Sequence, residues 1–273
     1  MTISQLLQQS EQHNHLIIPE GWGQGRATFG GLIAGLLYSH LVAKLTAQYA
    51  EKQGEDSGDR VLRSATISFI GAVTAGEVSF ETEIFRSGKS VTQASARLVQ
   101  DGEVKALLLA SFGSARVSAI HVAPLHCAPE FKRPDAIPPF PYIAGVMPEF
   151  LQQSDMRWVE GGVPFSGAAE PDFGGWMRWR ESFPVMTVAH LIGLIDSWPP
   201  SVFSMLKTPA PGSTLCWTIE LLAHTYSQSS ENFWQYQVKT DYAESGYVHA
   251  EAHIWDDTGT LVAISRQTST IFA

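Results

Sequence analysis

The stretch VTQASARLVQDG at residues 91–102 recurs in outline as YVHAEAHIWDD at residues 247–257, and this repetition decides the fold. Three positions of the two copies stand in register, two alanines and an aspartate of the following turn: Ala94, Ala96 and Asp101 against Ala250, Ala252 and Asp257. Each copy is followed by an apolar run and preceded by an apolar helical pattern. Because a unit that recurs within one chain is a structural building block, we predict a duplicated architecture.

Each half is predicted to consist of one helix followed by antiparallel strands. In the first half, apolar residues recur at helical spacing over residues 30–49, and strand-like runs separated by turn residues follow from residue 61 to residue 115. In the second half, the pattern predicts a lead-in strand at 174–181, a helix over residues 184–197 with Pro184 in its first turn, and strands from 214 to 272. This order indicates the α+β class.

The proline distribution divides the chain into three parts. Most of its 15 prolines fall between residues 117 and 172, together with several large aromatic residues. We predict a first unit at 1–116, a Pro-rich linker at 117–172 that packs on the surface, and a second unit at 173–273.

Composition narrows the classes of function. The 273 residues are 44% hydrophobic and 16% charged, which is typical of a well-packed globular protein. The net charge of -9 argues against a nucleic-acid partner.

The polar N-terminus lacks a signal pattern, and polar residues interrupt the apolar run from Leu32 to Leu45, so we expect no membrane span. Two cysteines are typical of a reducing compartment, and we expect a cytoplasmic protein.

Asp196 is a carboxylate in a helix that is otherwise almost uncharged. An ordinary interpretation places it on the polar face of the helix or as a cap at the break made by Pro199 and Pro200. The lack of other charges indicates instead that the helix is buried, and the helix dipole disfavours a carboxylate at its C-terminal end. Both effects would raise the pKa of Asp196, which suits a general base.

Two further polar residues of the second half are candidates for the same site. Gln267 lies in the last strand, and aligning the final strands of the two copies places Ala110 opposite it. Thr218 lies in a strand-like run, although its counterpart Thr66 shows that the fold alone can favour threonine there. Asp196 has no carboxylate counterpart in the first helix. Since polar residues present in one copy only are not needed to build the fold, we predict one active site and one retired site.

A helix with an antiparallel sheet, duplicated across a long linker, resembles the double (tandem) hotdog fold. Asp196, Thr218 and Gln267 resemble the catalytic set of the acyl-CoA thioesterase II family, and the resemblance covers residues 25–115 and 174–273. After Ile219 the family commonly continues with an acidic residue and a His-containing aromatic segment, of which this chain keeps only fragments. The chain is therefore similar to a divergent branch of that family.

The resemblance implies hydrolysis of an acyl-CoA, with Asp196, Thr218 and Gln267 holding the attacking water and Asp196 accepting its proton. A thiolate leaves readily, so no strong general acid is required. In hotdog enzymes the oxyanion donors resemble backbone N–H groups at a helix N-terminus. The substrate-binding candidates are the residues at the start of the first helix, namely Phe29, Gly30 and Gly31.

No metal or cofactor is expected. His249 and His253 share one strand face, but the sequence offers no evident third ligand, so we interpret them as surface or interface residues. Exposed strand edges predict a homodimer.

Two other functions stay open at this point. One is an acyl-CoA-binding or scaffold protein without turnover, in which the polar set is a relic. The other is an enoyl-CoA hydratase, which is disfavoured because the Asp-x-Asn-Pro-x-His pattern of such enzymes is not met from Asp196 onward.

Overall fold

The computed structural model describes residues 1–51, 60–223 and 228–273. The helices of these segments are α1 (Ile3–Gln12), α2 (Gly30–Glu51) and α3 (Val188–Ile195), with short 3-10 turns at Pro134–Ala136, Glu149–Gln153 and Ser201–Ser204. The strands of the first part of the chain are β1 (His15–Ile18), β2 (Gly23–Gln24), β3 (Ala27–Thr28), β4 (Val61–Phe69), β5 (Gly76–Ser87), β6 (Val91–Gln100) and β7 (Glu103–Gly113). Those of the second part are β8 (Ser154–Glu160), β9 (Phe173–Trp179), β10 (Gly212–Leu221), β11 (Trp234–Glu244), β12 (Tyr247–Trp255) and β13 (Leu261–Ile271).

Eleven of the described strands form one antiparallel sheet in the order β1-β5-β6-β7-β4-β10-β13-β12-β11-β9-β8. The two halves join where β4 pairs with β10, and Thr66 lies opposite Thr218 at this junction. The strands β2 and β3 form a separate small hairpin. An antiparallel sheet with a helix in each half confirms the predicted α+β double hotdog.

The register of the strands repeats the sequence alignment of the two copies. Ala94 of β6 pairs with Ala110 of β7, and the corresponding residues of the second half, Ala250 of β12 and Gln267 of β13, pair in the same way. Gln267 therefore occupies in the second half the position that Ala110 occupies in the first.

The core lies on the face of the sheet that α2 and α3 cover, and glycines allow the two helices to touch. A Cβ at Gly31 would overlap the carbonyl oxygen of Gly193, and one at Gly35 would lie 3.1 Å from the carbonyl oxygen of Ala189. By length and composition the stretch Gly30–Ala50 of α2 could cross a membrane, as many core helices could, and 61% of its 18-residue apolar window is buried inside the protein. The close approach sets the start of α2 against the end of α3.

Two sequence predictions need correction. The second helix starts at Val188 with Thr187 as its N-cap, so Pro184 lies before the helix and not in its first turn. The predicted linker contains β8, which pairs with β9 at the edge of the sheet, so the segment without strands ends before Ser154. The N-terminus forms α1, which the sequence analysis did not predict; Thr2 and Gln5 form a capping box at its start, and Leu6 and Leu7 are buried. Residues 224–227, within the stretch from 214 to 272 where strands are predicted, lie outside the described residues.

Candidate active site

The end of α3 and the last strand bring Asp196 and Gln267 together. Asp196 directly follows Ile195, the last residue of α3, and leaves the helical conformation with ψ near 0°. Gln267 lies on β13, and its Nε2 donates a hydrogen bond of 2.8 Å to Oδ1 of Asp196. Two side chains that the sequence separates by 71 residues thus form one polar pair against the core.

The N-terminus of α2 supplies the other contacts of the carboxylate. The backbone N–H of Gly31 donates to Asp196, and the positive end of the helix dipole favours the negative charge. A Cβ on Gly30 would lie 2.8 Å from Oδ2 of Asp196 and 3.2 Å from the ring of Phe69. Only a residue without a side chain fits at Gly30 without displacing the carboxylate.

Burial sets the proton affinity of the carboxylate. Although part of the residue faces a cavity, desolvation raises the pKa of Asp196 to about 7, against the hydrogen bonds from Gln267 and Gly31, which lower it. A carboxylate with a pKa near neutrality can accept a proton from water and release it again at physiological pH. Such a carboxylate is chemically suited to act as a general base.

A cavity of about 410 Å³ opens beside this pair. The first half contributes one wall, including Thr28, Gly30, Ile33 and Phe69. The second half contributes the other, including Asp196, Trp198, Phe203, Thr214 and Gln267. Because the polar pair lies among apolar and aromatic side chains, the cavity can take a ligand that has both an apolar chain and a polar reacting group.

The structure does not bring Thr218 to this site. Thr218 pairs with Arg266 on β13, whereas Trp217 pairs with Gln267, so Thr218 faces the other side of the sheet from Gln267. There its Oγ1 lies 3.2 Å from Oγ1 of Thr66. The expectation that Thr218 contacts the attacking water together with Asp196 and Gln267 is wrong in its geometry.

Thr214 is the threonine that reaches the pair. The register of β10 shifts between Thr214 and Cys216, and this bulge places Thr214 opposite Ser269, on the face that carries Gln267. The hydroxyl of Thr214 donates to Oε1 of Gln267 over 3.4 Å, which fixes the amide with its NH₂ group toward Asp196. The sequence gives no sign of the bulge, so it could not identify Thr214.

The three substrate-binding candidates separate into different roles. Gly30 lines the cavity as expected. Phe29 does not, because its fully buried ring stacks on Phe150 with 3.9 Å between ring centroids. Gly31 does not line the cavity; its N–H donates to Asp196, and its Cα lies against α3. The assignments of Phe29 and Gly31 as substrate-binding residues are therefore corrected to packing and positioning.

Tyr236 of β11 is a further neighbour of the base that the sequence analysis missed. Burial, and then the negative charge of Asp196, raise the pKa of its phenol far above the usual value. Tyr236 therefore stays neutral, and its ring stacks on Trp198 with 5.0 Å between centroids. It closes the side of the site behind Asp196.

Two family models match the chain. The family model described as the N-terminal domain of acyl-CoA thioesterase matches residues 18–113, and the model described as the C-terminal domain matches residues 134–271. None of the curated proteins matches the sequence.

Several solved structures share the fold over almost the whole chain. A hot dog fold protein of unknown function from Alicyclobacillus acidocaldarius has a TM-score of 0.78 and 23% identity, over 95% of this chain and 92% of the other. An acyl-CoA thioesterase II from Mycobacterium marinum has a TM-score of 0.67 and 19% identity, over 89% of each chain. A tesB protein from Mycobacterium avium subsp. paratuberculosis has a TM-score of 0.70 and 15% identity, over 100% of each chain. At these identities the likeness shows the fold alone.

Proposed function

Because the chain belongs to the acyl-CoA thioesterase family, we propose that it hydrolyses the thioester of an acyl-CoA to a free acid and coenzyme A. The observation that carries the proposal is the buried carboxylate of Asp196, with a pKa of about 7, on the wall of an apolar cavity. The proposal includes catalytic roles for Asp196, Gln267, Gly30 and Gly31.

Asp196 accepts a proton from a water molecule as the water oxygen attacks the thioester carbonyl carbon. The carbonyl oxygen becomes an oxyanion in the tetrahedral intermediate, and the C–S bond then breaks. The leaving thiolate takes back the proton that Asp196 holds, and the carboxylate is restored. A thiol has an ordinary pKa of about 8.5, so this weak acid is sufficient to assist its departure.

Residues of both halves position the carboxylate of Asp196 and stabilise the oxyanion. Gln267 and the N–H of Gly31 hold the carboxylate of Asp196 in place and keep it from gaining a permanent proton. The N–H of Gly30, at the first position of α2 and on the cavity wall, supplies a donor to the oxyanion. Such a donor is worth about 3 kcal/mol in the transition state.

The cavity also bears on the class of acyl group. Its apolar wall is formed by Ile33, Phe69 and Phe203, and its volume of about 410 Å³ must hold the acyl chain together with the reacting thioester. We expect short and medium chains to be hydrolysed better than long ones. The acyl preference is a proposal that follows from volume and lining.

The test is thiol release from a panel of acyl-CoAs of increasing chain length, with Asp196→Asn measured in parallel. Release by the wild type and its loss in the variant would support the hydrolase. An acyl-CoA that binds but releases no thiol would favour the non-catalytic binding protein, and a change in enoyl absorbance without thiol release would favour a hydratase.

We also propose that the protein works in the cytoplasm in lipid metabolism, as a homodimer. The cysteines Cys127 and Cys216 are both free and exposed, which suits a reducing compartment.

The edge strands β1 and β8 leave the sheet open at both ends, and pairing with a second copy would cover an edge. Light scattering after size exclusion measures the mass in solution, and a monomer at micromolar concentration would contradict the dimer.

A further inference from the structure

Three metal-ligand side chains meet on the outer face of the second half, away from the cavity. Glu251 and His253 lie two residues apart on β12, and His126 comes from the segment that connects the two halves. One ligand atom of each lies within 4.8 Å of the others. We propose that His126, Glu251 and His253 bind a divalent transition metal of the zinc type, with water as the remaining ligand.

His253 carries a buried atom that lacks a hydrogen bond. Its side chain is only 7% exposed, and among the described residues its Nε2 has no hydrogen-bond partner. Oε1 of Glu251 lies 3.4 Å from this nitrogen, within ion-pair distance but without hydrogen-bond geometry. A buried polar atom without a partner is costly, and a metal ion on Nε2 would remove that cost.

Glu251 is oriented for coordination through one oxygen. Its Oε2 forms an ion pair with Nη2 of Arg266 at 2.5 Å, which leaves Oε1 on the side of His253. A carboxylate held by a second residue is the usual arrangement around protein metal ligands. Arg266 therefore acts as a positioning residue for Glu251.

His126 is brought to the sheet by its own backbone. The indole Nε1 of Trp255 donates to the carbonyl oxygen of His126 over 3.3 Å, and the imidazoles of His126 and His253 lie with 3.9 Å between centroids. In a tetrahedral zinc site the ligand atoms are about 3.3 Å apart. Because His126 is exposed, rotation of its side chain can close the remaining distance.

The cluster is separate from the active site. His253 pairs with Ile264 on β13 and Glu251 pairs with Arg266, one strand position away from Gln267, so their side chains lie on the opposite face of the sheet. Metal binding would tie the connecting segment to β12. His249 lies on the same face, but it contacts Thr268 and stays outside the cluster. The prediction that His253 is a surface residue is wrong, because its side chain is buried. The third ligand, His126, could not be located without the fold.

The test is calorimetric titration of the full-length, tag-free and EDTA-treated protein with ZnCl₂. We expect one Zn²⁺ per chain, a Kd at least tenfold weaker in His126→Ala, and an unchanged Kd in the matched control His249→Ala. Zn²⁺ should raise the Tm of the wild type and of the control but not of His126→Ala. Since His126 is exposed, its variant should fold, and its Tm without metal shows whether it does. No stoichiometric binding to the wild type, or equal binding to His126→Ala, would overturn the proposal.

Discussion

The amide of Gln267 donates a 2.8 Å hydrogen bond to the carboxylate of Asp196, which joins the last strand of the chain to the end of α3. This bond favours the charged form of Asp196, whereas burial favours the neutral form, and the balance leaves the pKa of Asp196 at about 7. Ala110 occupies the corresponding position of the first half and can make no such bond. Gln267 in the second half and Ala110 in the first half thus distinguish the two copies of the fold, and only the second copy carries a candidate base.

Replacing Asp196 by Asn should separate activity from stability. The variant keeps the shape of the side chain but loses the base, so thiol release should fall about 10²–10⁴-fold. The folded pKa of Asp196 lies above the unfolded value of 3.8, so wild-type stability declines as the pH rises from about 4 through about 7. Asn does not ionise, so the stability of the variant does not decline in this way. Above pH 7 its free energy of unfolding should therefore exceed that of the wild type by up to about 4 kcal/mol.

The measurement is chemical denaturation of both proteins at pH 5 and pH 8. If the free energy of unfolding of the variant differed from that of the wild type by the same amount at pH 5 and at pH 8, the carboxylate would not be buried in its charged form. Full thiol release by Asp196→Asn would remove it from the mechanism.

The pH dependence of turnover should report the same group. Only ionised Asp196 accepts a proton, so kcat/KM should rise with pH through about 7 and then level off. Gln267→Leu removes a hydrogen bond that lowers the pKa of Asp196, so the midpoint should move to higher pH and the rate at pH 7 should fall. Gln93→Leu, at an exposed position of β6, is the matched control. A reduced rate with an unmoved midpoint would show that Gln267 acts on the substrate and not through Asp196.

The two threonines of β10 give opposite expectations. Thr214→Val should lower kcat about two- to tenfold, because the hydroxyl that fixes the amide of Gln267 is lost. Thr218→Val, on the outer face, should leave kcat and KM unchanged. Both variants keep the volume of the side chain, so parallel steady-state kinetics compares them directly. A loss of activity in Thr218→Val alone would restore the sequence assignment and contradict the register of β10.

The sequence could predict the elements of the fold because the two copies share one pattern. The alanines that align between residues 91–102 and 247–257 occupy equal positions in the sheet. Asp196 could be found because a lone carboxylate in an apolar helix is unusual. These features depend on local sequence alone.

The sequence could not predict contacts that depend on register or on distant partners. Moving by one residue along β10 reverses the face of the sheet, and the bulge near Thr214 changes this count without any sequence signal. The resemblance implies substrate binding at Phe29 from its place at the start of the first helix, but the sequence does not show its stacking partner Phe150, which lies in the predicted linker. In both cases the polar or aromatic residue type was identified correctly, but its surroundings depend on tertiary structure.

The paired glycines at the start of α2 should respond differently to alanine. In Gly30→Ala the new Cβ would lie 2.8 Å from Oδ2 of Asp196, so the carboxylate must move and kcat should fall at least tenfold with little change in Tm. In Gly31→Ala the Cβ would overlap the carbonyl oxygen of Gly193, so the two helices must separate and Tm should fall by several degrees.

Gly88→Ala is the matched control for both variants, because its Cβ would make only ordinary contact, 3.7 Å from the carbonyl oxygen of Val91. Thermal unfolding and thiol release should be measured on all three variants. If Gly30→Ala lost stability but kept its turnover per folded molecule, the contact between α2 and Asp196 would be structural only. Loss of turnover with an unchanged Tm is expected instead, because Gly30 lies on the cavity wall while Gly31 lies between the helices.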